Sequence, residues 1–282
     1  MYPYAYRKLN FPPVAFFYYI CMMMEFVDTH THITDEAFRG EEEAVIQRAV
    51  EAGVTRMLLA DIDSRERGEM YALAGRHPGV LFPMLGLYPG SVEANWREEL
   101  DALEPWLAKK PVAIGEIGLD YHYGTQWRKE QMEALRLQLE FASAHELPVN
   151  IHLRDATEDF FKVLGDCAHL HLRGNLHAFS GSAETFERIS RLGEWYVALG
   201  GVLTFKKASI ARDVLRIPME RILLETDAPY LAPTPLRGSR NESANIPLIA
   251  AFLAELKGLR TEEVAQITTA NAERLFQIVI AY

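Results

Sequence analysis

FVDTHTH, residues 26–32, sets a short apolar run directly against a carboxylate and two imidazoles at alternate positions. Side chains alternate across a β-strand, so Asp28, His30 and His32 project to one face wherever the strand extends that far. Two imidazoles on one strand face can share a metal ion. Neutral ring nitrogens suit zinc, manganese or iron, and mixed histidine and carboxylate sets also take magnesium or manganese. Two half-buried histidines capping a strand would read the same way, so the choice rests on what the remaining chain places beside them.

Outward from this stretch, apolar strand-like runs alternate with helical patterns, and eight such pairs follow one another. EFVDTH precedes a helix over about 41–53, which has acids in its first turn and Gly53 at its stop. VTRMLLADI leads to a helix over about 64–76, VLFPMLGLY to one over about 95–109, and PVAIGEIGLDY to a long one over about 127–146. LPVNIHL, GNLHAFSG and WYVALGGVL precede helices near 157–167, 182–193 and after Lys206. RILLETDAPYL, a Pro-rich loop and a helix over about 246–257 make the eighth pair, and the tail adds one amphipathic helix or two short ones. Runs of Val, Ile and Leu without polar alternation are strands buried on both faces, as a parallel sheet covered by helices requires. Eight βα units in about 250 residues predict an α/β fold, a closed (β/α)8 TIM barrel. A doubly wound open sheet would carry a glycine-rich phosphate loop after its first strand, and FVDTHTH stands in that place.

The chain has 282 residues, 49% hydrophobic and 24% charged, enough for a large core. Its net charge of −10 excludes a general nucleic-acid-coating surface, because that affinity comes from basic groups displacing counterions. A local basic patch or a bound metal pair remains compatible with a phosphodiester. Cys21 and Cys167 are far apart, so neither a disulfide framework nor a structural zinc knot is expected, and a cytoplasmic location fits. Residues 1–24 differ in composition from everything after them and read as an N-terminal extension, disordered or translated from an upstream start. Their uncharged run, Val14 to Met24, is too short to span a bilayer, and residues 25–282 read as a single barrel domain.

In a parallel barrel the reactive side chains stand at the carboxyl ends of the strands. His30 and His32 end the first strand, Glu116 the fourth, His152 the fifth, His177 the sixth and Asp227 the eighth. Four histidines and two carboxylates exceed the needs of one four-coordinate ion, and a carboxylate can bridge two, so a binuclear site is expected.

FVDTHTH, GEIGLDY, PVNIHLRDA, LHAFSG, LLETDAPYLAP and RGSRNE, in this order, resemble the TatD family of metal-dependent deoxyribonucleases, a branch of the amidohydrolase-type barrels. The resemblance covers residues 25 to about 279. It implies His30, His32 and Asp227 on one metal, His152 and His177 on the other, and Glu116 bridging. It also implies two divalent ions (magnesium, manganese or zinc) and hydrolysis of DNA phosphodiesters, with single strands or 3′ ends as substrate. Neither a membrane nor an obligate protein partner is implied. Three positions depart from the family pattern: Tyr88 stands where the third-strand motif usually has His, Ala178 where Cys is common, and Ser243 where Pro is usual.

Asp227 is the candidate acceptor of the water proton. Arg154 and Arg240 are candidate phosphate clamps, since a guanidinium engages two oxygens at once, with Asp155 and Glu242 as groups that could orient them. His122, beside Tyr121 and Tyr123, is placed to stack on a nucleotide or to pack its loop. His77, His145, His169 and His171 read as caps or solvated residues. The competing activity on the same metals is hydrolysis of an ester or amide, such as deacylation of a D-aminoacyl-tRNA.

Overall fold

The structure, a computed structural model, describes residues 24–278, so the reading of residues 1–23 as an extension falls outside the described residues. Eight parallel strands follow in sequence order: β1 Phe26–Thr31, β2 Val54–Leu59, β3 Leu81–Pro83, β4 Ile114–Asp120, β5 Val149–Arg154, β6 Arg173–Leu176, β7 Glu194–Leu199 and β8 Ile222–Leu224. Continuous ladders join β1 to β3 and β4 to β8. The two seams are narrow. Leu85 pairs with Ile114 between β3 and β4, while Thr31 pairs with Ala228 between β1 and the residues after β8. Gly115 donates to the Leu85 carbonyl at 2.9 Å, and His32 and Asp227 close the other seam by donating to Ala228 at 2.8 Å and His30 at 2.9 Å. Both seams flank the shortest strands, β3 and β8, which offer only three residues each for pairing.

The helices cover the outside of the strands: α1 Glu42–Glu51, α2 Ser64–Arg76, α3 Trp96–Asp101, α4 Arg128–Ala144, α5 Thr157–Asp166, α6 Ala183–Ile189, α7 Ile210–Asp213, α8 Ile246–Lys257 and α9 Thr261–Phe276. Asp63 caps α2 by accepting from the Arg65 amide at 3.0 Å, and Gly258 stops α8 in the left-handed region at φ 68°. Three helices are shorter than their apolar patterns predict, among them α6, which ends at Ile189 instead of near 193. The run over 95–109 splits into α3 and a 3-10 turn, Glu104–Lys109, because Pro105 offers no amide and disfavours α geometry for the residue before it. After Lys206 only the single turn α7 forms before a 3-10 turn, Val214–Arg216, and Pro218. The tail folds as one helix, α9.

Asp28, fully buried in β1, ties this strand to the end of β8. Its carboxylate accepts from the Thr226 amide at 2.9 Å and the Thr226 hydroxyl at 2.5 Å, and from the His30 amide at 3.3 Å. Burial pushes the Asp28 carboxyl up to about 6 despite these donors. Leaving the donors unmet would cost on the order of 1–3 kcal/mol each. Gly118 serves a different need: at φ 148° its Cα faces the His152 carbonyl, and a Cβ would lie 1.9 Å from that oxygen. The close approach of β4 and β5 beside two of the candidate ligands therefore requires glycine.

Candidate metal centre

Six side chains from five strand ends meet at the carboxyl-terminal mouth. Period-two alternation in β1 brings His30 and His32 together, with their Nε2 atoms 3.1 Å apart. Asp227, just past β8, sets Oδ1 3.6 Å from His30 Nε2 and 3.4 Å from His32 Nε2. Glu116 lies between this group and a second one. Its Oε2 is 3.4 Å from His30 Nε2 and 3.6 Å from His32 Nε2, while its Oε1 is 2.8 Å from His152 Nδ1 and 2.9 Å from His177 Nε2. The last two nitrogens are 3.0 Å apart, and the His177 ring stacks on His30 with centroids 3.9 Å apart. His30, His32 and Asp227 form one group that could hold an ion, and His30, Glu116 and His177 form another.

Supporting hydrogen bonds decide which ring nitrogen faces inward. The Asn150 amide donates to Asn175 Oδ1 at 3.2 Å, so its own oxygen, 2.8 Å from His30 Nδ1, is the acceptor. His30 therefore carries its proton on Nδ1 and presents a lone pair from Nε2. In His152 the roles reverse: Nε2 donates to Asp120 Oδ2 at 3.0 Å and Nδ1 turns toward Glu116. Convergent lone pairs and carboxylates this close require positive charge between them. Burial opposes charge on Glu116, but the imidazoles packed around it, His177 and His30 foremost, hold its carboxyl well below the usual carboxylate range. Burial opposes charge on His152, but Asp120 and Glu116 push it up to about 9. Burial and His30 drive His177 down to about 4. Divalent cations would supply the missing charge without protonating any ring, so the donor set fits them.

Behind Glu116, Asp61 and Arg67 make a buried ion pair at 2.6 Å, and Asp61 also accepts from the Gly86 amide at 3.0 Å. The Glu116 amide donates to the Asp61 carbonyl at 3.1 Å, so this pair braces the carboxylate from β2. Burial pushes Asp61 up to about 7 against the pull of Arg67.

The remaining expectations are distributed unevenly. Arg154 is exposed, with its guanidinium carbon 5.6 Å from the Tyr123 ring centroid, and Asp155 turns to His122 Nδ1 at 3.2 Å instead of to Arg154. Arg240 is not brought to the ligand cluster. It donates to the Ala37 carbonyl at 2.7 Å and pairs with Glu41 at 2.9 Å and Glu242 at 3.0 Å, while Glu242 also takes Arg48 at 2.7 Å. This network makes Arg240 an anchor of the loop after β8. His77 pairs with Glu43 at 2.8 Å, and His145 caps the end of α4.

Residue reading missed the groups that support the ligands. Asn150, Asn175 and Glu225 each stand two positions before a candidate ligand, on or just past the same strand, and Asp120 stands four after Glu116. The alternation that reveals the ligands also marks these positions. Glu225 is fully buried, accepts from the Ala178 amide, and is pushed well above the usual range by burial and by Asp227. Tyr88 adds a further link. Its hydroxyl donates to Asp120 Oδ2 at 3.3 Å and its ring meets His152 edge-on at 5.1 Å between centroids. Burial beside Glu116 and Asp120 raises the phenol, so it stays a donor. Gly90 makes room for this ring, since a Cβ there would lie 2.3 Å from Tyr88 Cε1. Ser243 is buried with its hydroxyl 3.5 Å from that of Thr31.

The profile of the TatD related DNase family matches residues 27–277. A metal-dependent hydrolase of Bacillus subtilis, YabD, is 38% identical over 89% of this chain and 98% of its own length. A 3′-5′ ssDNA/RNA exonuclease TatD of Erwinia billingiae is 33% identical over 89% of this chain and 98% of its own. The crystal structure of YjjV, a TatD homologue from Escherichia coli, superposes with a TM-score of 0.83 at 33% identity, covering 92% of this chain and 99% of that one. With the family profile, these relatives and the fold in agreement, the chain belongs to the TatD-related DNase family and is a metal-dependent hydrolase.

Proposed function

We propose that the chain hydrolyses phosphodiester bonds of single-stranded DNA from the 3′ end, using two divalent ions, magnesium, manganese or zinc. One observation carries this reading: the two oxygens of Glu116 face separate sets of ring nitrogens, Oε1 toward His152 and His177 and Oε2 toward His30 and His32. On this reading His30, His32 and Asp227 hold one ion, His152 and His177 the other, and Glu116 both. When bound, such a pair activates water near neutral pH and offsets charge on a phosphoryl group. Asp227 faces the mouth with 15% of its side chain exposed, locked by its amide to β1, and takes up the proton lost by water at its carboxylate. Arg154, on the open side of β5, contacts phosphate oxygens.

Purified chain supplied with each metal in turn is to be assayed on end-labelled single-stranded DNA, on RNA and on a D-aminoacyl-tRNA. Stepwise release of nucleotides from the DNA 3′ end, abolished by a chelator, is the expected result. Asp227→Asn should retain bound metal, because an amide oxygen still coordinates, while turnover falls by roughly a hundredfold. Deacylation without phosphodiester cleavage would replace this reading with the ester hydrolase.

A further inference from the structure

The loops around the mouth are divided by charge, although the chain as a whole is strongly acidic. After β1 and β2 stand Asp35, Glu36, Asp63 and Glu66, and the cations among them turn back on these acids, Arg39 on Glu36 at 3.3 Å and Arg65 on Asp63. This side begins next to the ligands: the Tyr230 hydroxyl donates to Asp35 at 2.7 Å, and its ring lies 6.1 Å from that of His32. Burial, then the charges of Asp63 and Asp35, raises the Glu66 carboxyl, which places these acids within electrostatic reach of one another.

Over the adjoining β7 and β8 the sign reverses. The residues after β7 include Lys206 and Lys207, and the loop after β8 brings Arg237 over the Phe205 ring at 4.4 Å. Thr234 locks the two loops together, donating its amide to Thr204 Oγ1 at 2.8 Å and its hydroxyl to the Thr204 carbonyl at 3.3 Å. Residues 201–203 share a small cavity lining with Asp227, so the basic ridge starts beside the ligand cluster. Between this ridge and Arg154, the loop after β6, residues 177–182, carries no acid. Cations held together on rigidly joined loops, bordered on one side by an acidic rim, suit a polyanion that must leave the site in one direction.

We propose that Lys206, Lys207 and Arg237 form a track that carries the backbone of a single-stranded nucleic acid away from the metal centre, with the acidic rim over the adjoining β1 and β2 closing the exit on that side. This rests on the phosphodiesterase reading and adds a direction to it. A phosphate held on such a track contributes to affinity with little sequence preference and makes it salt-dependent.

Binding of a fluorescent single-stranded oligonucleotide, read by anisotropy across a salt series on full-length protein, tests the track without requiring turnover. Replacing Lys207 and Arg237 by Ala should weaken binding by about tenfold at low salt and flatten the log–log salt slope by about 0.7 for each cation removed. The Gln pair at both positions should behave the same, which separates charge from packing. Glu66→Gln should tighten binding by about twofold, since one repulsive charge is removed from the other rim. Photo-crosslinks from thiolated bases should fall in residues 204–237 rather than 35–66. Unchanged affinity and slope in both double variants, or crosslinks on the acidic side, overturns the track. If the unmodified protein with metal fails to hydrolyse bis(p-nitrophenyl) phosphate while the salt and crosslinking results hold, the phosphodiesterase reading fails and the track stands.

Discussion

The two nitrogen clusters that share Glu116 are supported unequally. The cluster on β1 has three side chains of its own, His30, His32 and Asp227. Asn150 fixes the His30 ring at 2.8 Å, and Asp227 is pinned by its amide to the His30 carbonyl. The cluster on β5 and β6 has two, His152 and His177. Asp120 holds His152 at 3.0 Å, but His177 Nδ1 has no hydrogen-bond partner among the described residues, its nearest acid, Glu225, lying 4.0 Å away. A shared carboxylate therefore does not make two equal sites. The better-braced cluster is expected to keep its ion when the other has lost it, because ring orientation by a second partner raises both ligand basicity and pre-organisation.

The most severe way to break this asymmetry is Glu116→Gln. It removes the charge that lets two cations sit close together, so both affinities should fall beyond the roughly 10–100-fold that loss of a supporting partner costs. Metal titration by calorimetry reads the effect, and two ions still bound tightly would show that the bridge is absent. Asp120→Asn is narrower. It should weaken only the ion at His152 and His177, by about 10-fold or more, and split a titration that saturates in one step into two. Equal weakening of both ions would remove the distinction drawn between the clusters. Tyr88→Phe is the mildest, deleting one hydroxyl at 3.3 Å from Asp120 while leaving the ring against His152. The ion on the His152 side should weaken about threefold and the other should not change, which places the Tyr88 contribution near that of a single modest hydrogen bond.

The same contrast between ligands and their supports governs what could be read from the chain before its fold was known. His30, His32, Glu116, His152, His177 and Asp227 are legible because each ends an apolar run and the strands are parallel, so chemistry and topology point to one mouth. The supporting residues lie on or just past the same strands at the same alternation, and Asp120 stands inside GEIGLDY in plain view. They were hidden because a carboxylate or amide near a ligand declares no role until its partner is known. Arg240 was hard to place for another reason. Its partners Glu41 and Ala37 lie about 200 residues earlier in the chain, and only closure of the barrel between β1 and β8 brings them within reach. The break at Pro105, by contrast, was available from local stereochemistry alone.

The packing of Tyr88 over Gly90 has a consequence for which substitutions this site can take. With any side chain at position 90, the phenol ring loses the space it occupies, because the first added carbon would already overlap Cε1. A glycine at 90 is harmless without the tyrosine, whereas the tyrosine is not harmless without the glycine. With the phenol docked on Asp120, positions 88 and 90 therefore act as one unit: what position 90 can carry is set by what stands at 88.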